Sequence, residues 1–399
     1  MSQSKEVRLP AQIALLTFTR LVQKIALRMV FSFLPQFARG LEVSVADVQR
    51  TLAFQSVAGF ASPFLVPISE RFGRKWLIVA STIVFALAGL LIVLFPSLAV
   101  LAMVVALISG SGIFYDANMR AYLADRIPFA RRGRALAITE TSWALAMLVG
   151  APLVGVLIAR FDFTAPYLVL AVISVGLLPV LWRVLAFDAI PADAQQIDWN
   201  RITRTALRSP RILTPTLFVV SVMSAGTLIF VSYADWLERG FDVNLAGLGV
   251  TAAMIGVAEL IGEFLSGALS DRVNKKWFVL ATGAGIAVMC LLMPHAPSRT
   301  LALVGLFGYF VFFETTVVST IPIFSELMPE ARTVPLSLLA LAVPIGQATG
   351  ALLAPQLTAM GGFVLVGQAA ALIMVVPGIS LLALTRIEFA QDAPEAVAR

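Results

Sequence analysis

The sequence predicts an all-α membrane protein in which twelve transmembrane helices form two six-helix bundles related by a parallel repeat. Three observations predict this fold. The 399 residues are 59% hydrophobic and 13% charged, with a mean hydropathy of +0.92, far above the values of soluble domains. Apolar runs long enough to cross about 30 Å of hydrocarbon recur along the whole chain. A pattern in the first half of the chain also returns in the second half.

The apolar runs are about 20 residues long or longer, the length of a membrane-spanning helix. They are helices rather than barrel strands, because the run 77–95 is apolar on every side, whereas a barrel strand alternates every second residue. The twelve predicted spans, numbered in chain order, are 11–36, 45–69, 76–95, 98–123, 134–159, 164–187, 211–237, 245–270, 276–294, 300–328, 333–359 and 363–386.

The distribution of Lys and Arg predicts the orientation of the spans. Most of these residues in the loops fall on one side of the membrane, and the loops on the other side contain only Arg39, Arg160, Arg239 and Arg299. The positive-inside rule therefore places both termini and the central loop in the cytoplasm. The first apolar run has helix length and no small-residue cleavage site, so we expect it to be retained. We predict a multi-pass protein of the cytoplasmic (inner) membrane.

A stretch of the first half recurs in the second half at a nearly constant distance along the chain. The segment Phe37-Ala-Arg-Gly-Leu-Glu-Val-Ser44 matches Leu237-Glu-Arg-Gly-Phe-Asp-Val-Asn244 at an offset of 200. Ser69–Trp76 matches Ser270–Trp277 at an offset of 201. Because this offset keeps each copy on the same side of the membrane, it predicts two halves in parallel orientation.

The repeat also predicts the domain boundaries. We expect a six-helix bundle at 1–187, a cytoplasmic linker at 188–210 and a second six-helix bundle at 211–399. The linker is polar, and the spacing of Arg201, Arg204 and Arg208 suits a short helix that lies against anionic lipid headgroups. A solvated tether is the alternative.

The composition argues against several classes of function. A single cysteine (Cys290) and a single histidine (His295) exclude a disulfide framework and a Cys/His zinc site. There is no Gly-x-Ser-x-Gly segment and no Gly-rich phosphate loop with Lys. We therefore expect no enzyme activity, no cofactor and no metal. The basic residues lie in short loops, so we expect no nucleic-acid partner. The expected partners are a small-molecule substrate, protons and membrane lipid, and we expect a monomer.

Two loops carry related signatures. Gly267-Ala-Leu-Ser-Asp-Arg-Val-Asn-Lys-Lys276 begins in the last turn of span 8, and Val66-Pro-Ile-Ser-Glu-Arg-Phe-Gly-Arg-Lys75 begins in the last turn of span 2. With the twelve spans and the parallel repeat, these loops resemble the major facilitator superfamily, whose signature has Gly, a small residue, Asp-Arg, Gly and basic residues in fixed order. The first copy departs from it at Val66 and Glu70. The resemblance covers nearly the whole chain and implies the major facilitator fold and secondary transport.

The acids of both loops lie at the cytoplasmic ends of their spans. An acid there can face the positive N-terminal end of a neighbouring helix, and in the family this loop helps to hold the outward-open state. The resemblance therefore implies a gating role; a charge cluster that only sets the orientation is the alternative. The predicted gating residues of the loops are Glu70, Arg71, Gly73, Arg74, Asp271 and Arg272.

Span 5 contains Ala146-Met-Leu-Val-Gly-Ala-Pro-Leu-Val-Gly155, which resembles the Gly-Pro signature of proton-driven exporters in the superfamily. Gly150 allows close helix approach, and Pro152 frees a backbone carbonyl and produces a kink that can flex. Both are predicted gating residues, although simple packing also explains them. The resemblance favours export. Ala106 stands where drug exporters of the family usually have an arginine, which weakens a drug-exporter assignment.

Span 1 carries three basic residues, Arg20, Lys24 and Arg28. Steps of four residues place them in a stripe about 80° wide and about 12 Å long on one helix face. Because a charge at mid-membrane costs on the order of 3 kcal/mol, we expect the stripe to line a wet cavity or to meet acids. Snorkelling, or purely structural pairing, is the alternative. All three are predicted substrate-binding residues.

Five acids in other spans are candidate counter-charges to this stripe. Asp116 in span 4 is a predicted substrate-site residue, unless it pairs only with Arg120 four positions on. Glu259 and Glu263 share a face of span 8, where mutual repulsion favours protonation of one of them. Salt bridging or hydration near the cytoplasmic mouth is the alternative. The predicted proton-coupling residues are Glu140, Glu259, Glu263 and Glu314.

Three aromatic residues lie deep enough in the predicted spans to stack on a substrate. They are Tyr115 in span 4, Trp143 in span 5 and Tyr309 in span 10. Core packing, the commoner fate of such residues, is the alternative.

The sequence thus predicts a secondary active transporter that exports a small organic solute in exchange for protons by alternating access. The basic stripe favours an anionic or amphiphilic substrate, because arginine recognises carboxylates, sulfonates and phosphates with several donors. Broad-range efflux of drugs and cations is an alternative, if the five acids neutralise the stripe. A membrane sensor without transport is another.

Overall fold

The computed structural model of the chain describes residues 3–60, 73–186, 210–269, 272–326 and 333–392. Within these ranges all regular structure is helical. The first half contains α1 (Gln3–Ser32), α2 (Leu34–Gly40), α3 (Val45–Leu52), α4 (Arg74–Leu94), α5 (Leu98–Arg126), α6 (Phe129–Leu145), α7 (Ala151–Arg160) and α8 (Ala165–Val184). The second half contains α9 (Pro210–Phe230), α10 (Tyr233–Phe241), α11 (Leu245–Leu269), α12 (Lys275–Leu292), α13 (Arg299–Glu326) and α14 (Thr333–Asp392).

Nine stretches of the described ranges are long and apolar enough to cross a membrane. One of them, Leu338–Ile379, contains a break at Gly361 and Gly362 and so covers two predicted spans. Helix α1 has the length but carries Arg20, Lys24 and Arg28 in its apolar part. Predicted span 2 runs into residues 61–72, which lie outside the described ranges. These cases account for the difference between nine stretches and twelve predicted spans.

Large apolar side chains are exposed on the outer surfaces of the helices. Leu87 of α4, Val172 of α8 and Phe264 of α11 are more than half exposed. Such a surface is unfavourable in water, whereas the hydrocarbon of a bilayer solvates it. The chain is a multi-pass membrane protein of the predicted all-α class.

The turn that follows the first span recurs in the second half. Glu42 and Asp242 both adopt a left-handed backbone conformation, with φ of 55° and 50°. Ser44 then caps α3 by accepting a hydrogen bond from the Asp47 N–H (3.1 Å), and Asn244 caps α11 by accepting one from the Gly247 N–H (2.9 Å). The local backbone therefore repeats at the offset of 200 residues that the sequence shows.

The chain divides into two compact units. The first unit comprises Met1–Gln196 with Leu237–Val257, and the second comprises Ile197–Trp236 with Ala258–Arg399. The first part of α11 thus belongs to the first unit and its remainder to the second. The predicted linker lies outside the described ranges except for its last residue, Pro210, and the predicted bundle boundaries stay a prediction.

A π turn interrupts the long helix of span 5. Residues Ala146–Gly150 form this turn between α6 and α7, and the Ala151 N–H donates to the Ala146 carbonyl five residues earlier. Pro152 follows at once in the first turn of α7. Pro152 has no N–H and so cannot donate the α-helical hydrogen bond to the carbonyl four residues earlier. The π turn changes the hydrogen-bond register at this point of the helix. This is the irregularity that Pro152 predicts.

Two glycines of α11 let that helix approach the π turn closely within the first unit. A Cβ atom at Gly256 would lie 2.6 Å from the backbone N of Leu148, and one at Gly249 would lie 3.6 Å from the Cα of Pro152. In a membrane such contacts between small residues are a main source of helix association. Gly256 therefore has no room for a side chain.

We expect Gly256→Ala to lower the melting temperature of the purified protein, because its methyl group would overlap backbone and cost about 1–3 kcal/mol. The matched control is Gly176→Ala in α8, where an added Cβ would have no neighbour within 4 Å. The control should leave the melting temperature unchanged or slightly higher. An equal decrease in both variants would show that the close contact is not the cause.

Candidate functional site: a buried charge cluster

The basic stripe of α1 is buried inside the first unit. Arg20 is 2%, Lys24 6% and Arg28 2% exposed. Three side chains this well covered do not snorkel to the membrane surface. Their charges meet the protein's own acids, backbone oxygens and aromatic rings, as the insertion cost of a bare charge requires.

Arg20 is held from two neighbouring helices. Its Nε donates to Asp116 of α5 and its Nη2 to Glu140 of α6, both at 2.8 Å. Its Nη1 donates to the backbone oxygen of Thr139 (2.7 Å) and to the hydroxyl of Ser142 (3.1 Å). With every nitrogen of its guanidinium engaged, Arg20 joins α1, α5 and α6 rigidly.

Lys24 shares the carboxylate of Asp116 with Arg20. Its Nζ lies 2.8 Å from Oδ2 of Asp116, while Oδ1 accepts the Arg20 bond. Among the described residues, Asp116 is the acid that forms an ion pair with Lys24. The Lys24 ammonium also lies 3.9 Å from where a Cβ of Gly112 would stand, so the small residue leaves space beside it.

The cluster extends toward solvent through Glu140 and Arg120. Arg120 donates to the second oxygen of Glu140 at 2.9 Å, and the two side chains are 52% and 40% exposed. The ion pairs therefore run in alternating sign from buried Lys24 through Asp116, Arg20 and Glu140 to Arg120. The alternative, in which Asp116 pairs only with Arg120, is wrong, because Asp116 pairs with Arg20 and Lys24 and Arg120 pairs with Glu140.

Arg28 and Lys24 flank the indole of Trp143. The Arg28 guanidinium carbon lies 4.5 Å, and the Lys24 Nζ 5.6 Å, from the ring centroid. Arg28 also donates to the Trp143 backbone oxygen at 3.0 Å. Trp143 is half-buried. An aromatic ring beside two cations can contact the apolar part of a ligand whose anionic group they bind.

The two predicted tyrosines are fully buried. The Tyr115 hydroxyl donates to the Leu16 backbone oxygen at 2.8 Å and so fastens α5 to α1. Tyr309 belongs to the second unit and packs against the rings of Phe310 and Phe313. Its hydroxyl has no hydrogen-bond partner among the described residues. Both side chains contribute to packing where the structure places them.

The other predicted proton-coupling acids lie in the second unit, where α11 crosses α13. A Cβ at Gly262 would lie 2.8 Å from the Cβ of Glu314, so the backbones are close at this point. The Ser266 and Ser319 hydroxyls are hydrogen-bonded at 2.7 Å one turn further on. Glu259 and Glu314 are buried and Glu263 is half-buried. The crossing brings the Glu259–Glu263 turn next to Glu314.

The predicted gating residues are only partly described. Glu70, Arg71 and Asp271 lie outside the described ranges, and Arg272 is exposed in the turn before α12. Gly73 has a φ of 78°, a conformation that favours glycine, and precedes the first residue of α4. Arg74 follows and bonds to the Asp125 carboxylate and the Ala121 backbone oxygen of α5.

Sequence reasoning missed the two groups of α6 that support Arg20, the Thr139 carbonyl and the Ser142 hydroxyl. Ser142 is three residues after Thr139 and donates to its carbonyl at 2.7 Å. The signal that the sequence contained was that Thr139 and Ser142 lie on either side of Glu140, a candidate partner of Arg20. A backbone oxygen leaves no mark in a sequence, so only the structure could identify that contact.

The sequence profile of the Major Facilitator Superfamily matches residues 16–322 and again residues 216–398. The chain belongs to the Major Facilitator Superfamily. Membership confirms the resemblance carried by the two loops and the repeat. It also makes the chain a membrane transporter rather than an enzyme.

Among relatives in the superfamily, the multidrug resistance protein MdtG of Enterobacter lignolyticus is 27% identical over 301 residues, which are 71% of this chain and 70% of the relative. The MFS-type transporter YwfA of Bacillus subtilis is 22% identical over 297 residues, 72% of this chain and 71% of that one.

Two solved structures share the fold at 14% identity. The nucleoside transporter NupG has a TM-score of 0.75 and is matched over 93% of this chain and 99% of its own. A bacterial homologue of the human lysosomal transporter Spinster has a TM-score of 0.73, over 94% and 97%. These likenesses confirm the major facilitator fold.

We expect Arg20→Gln to destabilise the protein by about 3–5 kcal/mol, because it removes the buried guanidinium that joins the two acids and leaves Asp116 with Lys24 alone and Glu140 with the exposed Arg120 alone. Arg120→Gln, which removes a cation from the exposed end of the same cluster, should cost about 0–1 kcal/mol. Chemical denaturation of both variants in one detergent measures the difference. Equal losses would contradict a supporting role for Arg20.

Proposed function

We propose that the protein is a proton-coupled transporter of a small organic anion or anionic amphiphile, which binds at the charge cluster of the first unit. The excess of positive charge in this cluster supports the proposal. In the ion pairs of this cluster Arg20, Lys24 and Arg120 contribute three positive charges against the two carboxylates of Asp116 and Glu140. A site with an excess of positive charge attracts an anion and repels a cation.

The roles within the site follow from the contacts of each cation. Arg20 is fully engaged and positions Asp116. Lys24 bonds to Asp116, and both Lys24 and Arg28 lie against the ring of Trp143. In the proposal these two cations bind a carboxylate, sulfonate or phosphate group, and the indole contacts an apolar part of the substrate. Tyr115 and Tyr309 take no part.

Movement of the substrate follows the alternating-access scheme. The π turn that ends at Gly150, just before Pro152, is the proposed point of flexion, since irregular helical backbone bends more readily than a continuous α-helix. The residues of the two signature loops act as a cytoplasmic gate in this proposal. Glu140, Glu259, Glu263 and Glu314 are the acids proposed to exchange protons with solvent.

A second candidate function is broad-range efflux of lipophilic cations. It is favoured by the relatives that are named multidrug resistance protein and by the partial Gly-Pro signature of span 5. The acids at the crossing of α11 and α13 would then bind the cation. Export, the direction that the sequence predicts, fits this candidate directly, because a proton and a cation compete for the same carboxylate.

Ligand-induced thermal stabilisation separates the two candidates, because a ligand that binds the folded state raises the melting temperature. We expect naphthalene-2-sulfonate to stabilise the purified protein and tetraphenylphosphonium to have no effect. Lys24→Gln should remove the stabilisation by the sulfonate. Arg50→Gln, which removes a cation from the exposed first turns of the second span, is the matched control and should keep it.

Flux into proteoliposomes then tests transport itself. Uptake of the radiolabelled sulfonate should exceed that of protein-free vesicles and should be lost in Lys24→Gln. Stabilisation and flux of the phosphonium cation alone would overturn the anion assignment in favour of cation efflux. Binding without any flux of either probe would favour a sensor.

A further inference from the structure

Arg20 and Lys24 share the carboxylate of Asp116, but they depend on it to different degrees. If Asp116 becomes neutral, Arg20 still has Glu140, the Thr139 carbonyl and the Ser142 hydroxyl as partners. Lys24 then loses the acid that the described residues provide for it. Protonation of Asp116 therefore releases Lys24 while Arg20 remains in place.

Binding of an anion at Lys24 in turn favours protonation of Asp116, and the two effects have equal free energies. An anion bound to Lys24 draws the ammonium away from Oδ2 of Asp116 and offsets part of the positive field around it. The ionised carboxylate is then less stabilised and takes up a proton more readily. By thermodynamic linkage, whatever a proton adds to anion binding, an anion adds to proton binding.

Small and aromatic residues lie beside the Lys24 ammonium. It is 3.9 Å from where a Cβ of Gly112 would stand and 5.6 Å from the centroid of the Trp143 ring, against which Arg28 also lies. The Asp116 side chain is 17% exposed. An anion that binds between Lys24 and Arg28 would replace Asp116 as the partner of Lys24.

We propose that Asp116 is a further coupling acid besides the four glutamates, and that anion and proton bind together at the charge cluster and cross the membrane in the same direction. This inference rests on the proposed anion site. It differs from the exchange that the sequence predicts, because exchange requires substrate and proton to exclude each other. An inward proton gradient would drive the anion inward with it.

The cations around Asp116 favour its ionised form, so an anion that draws Lys24 away from it favours protonation. Arg20 and Lys24 reach it from α1, Arg120 acts on it from its own helix, and Glu140 of α6 is joined to it through Arg20. Helices α3 and α4 also pack against α5. Among the described residues, their charged groups have other contacts: Arg50 pairs with Asp47 and Arg74 with Asp125, and the ammonium of Lys75 lies 4.7 Å from the centroid of the Trp182 ring.

Calorimetric titration of naphthalene-2-sulfonate into the protein in lipid nanodiscs tests the inference. A sulfonate stays ionised across the whole range, so any pH dependence belongs to the protein. We expect its affinity to rise as the pH falls, by up to about tenfold per pH unit for one linked proton. Titrations in two buffers of different ionisation enthalpy should show net proton uptake on binding.

The variant Asp116→Asn should bind the sulfonate with an affinity that no longer depends on pH and that equals or exceeds the acid-pH value of the unsubstituted protein. Asp162→Asn is the control for loss of one acid. Asp162 accepts hydrogen bonds from Thr164 and Ala165 in an exposed loop, and this variant should retain the pH dependence.

The outcomes distinguish the two proposals. An unsubstituted protein that does not bind the sulfonate at any pH would overturn the proposed anion site and this inference with it. Binding that is independent of pH, that weakens in acid, or that keeps its pH dependence in Asp116→Asn would overturn this inference alone. If Asp116→Asn does not fold, proton uptake or release by the unsubstituted protein still decides the sign of the coupling.

Discussion

Three cations on one helix face have to be neutralised inside a membrane, and the first unit is organised around that requirement. An unpaired charge at this depth is costly, and so is a pair with poor geometry. Arg20 meets the requirement by donating to Asp116 of α5 and to Glu140 of α6 at once. The pairing that neutralises the charge therefore also sets the positions of α1, α5 and α6.

The same cluster separates a structural role from a functional role. Arg20 is saturated with partners, whereas Lys24 depends on the carboxylate that it shares with Arg20. Because the two oxygens of Asp116 serve different cations, one ion pair can break while the other maintains the helix arrangement. This inequality is the basis for the proposed substrate site and for the proposed coupling through Asp116.

Close backbone contact is the second constraint on the first unit. Helix association in a bilayer gains little from burying apolar surface, so small residues that let backbones meet carry more of the stability. Gly256 faces the π turn beside Leu148, and Pro152 has no N–H to donate there. This close contact of α11 thus falls on backbone that is already irregular.

The sequence by itself determined the class of the protein, its helical spans and its repeat, because hydropathy and the 200-residue offset are properties of the chain order. It also placed Arg20, Lys24 and Arg28 on one face, since helical periodicity needs no tertiary information. Which acids met them was decided only by the tertiary structure. Five acids were compatible with the pattern, and helix packing brought Asp116 and Glu140 to Arg20 and Lys24. The Thr139 carbonyl could not be foreseen, because every residue has one and only the packing of α6 against α1 turns this one toward Arg20.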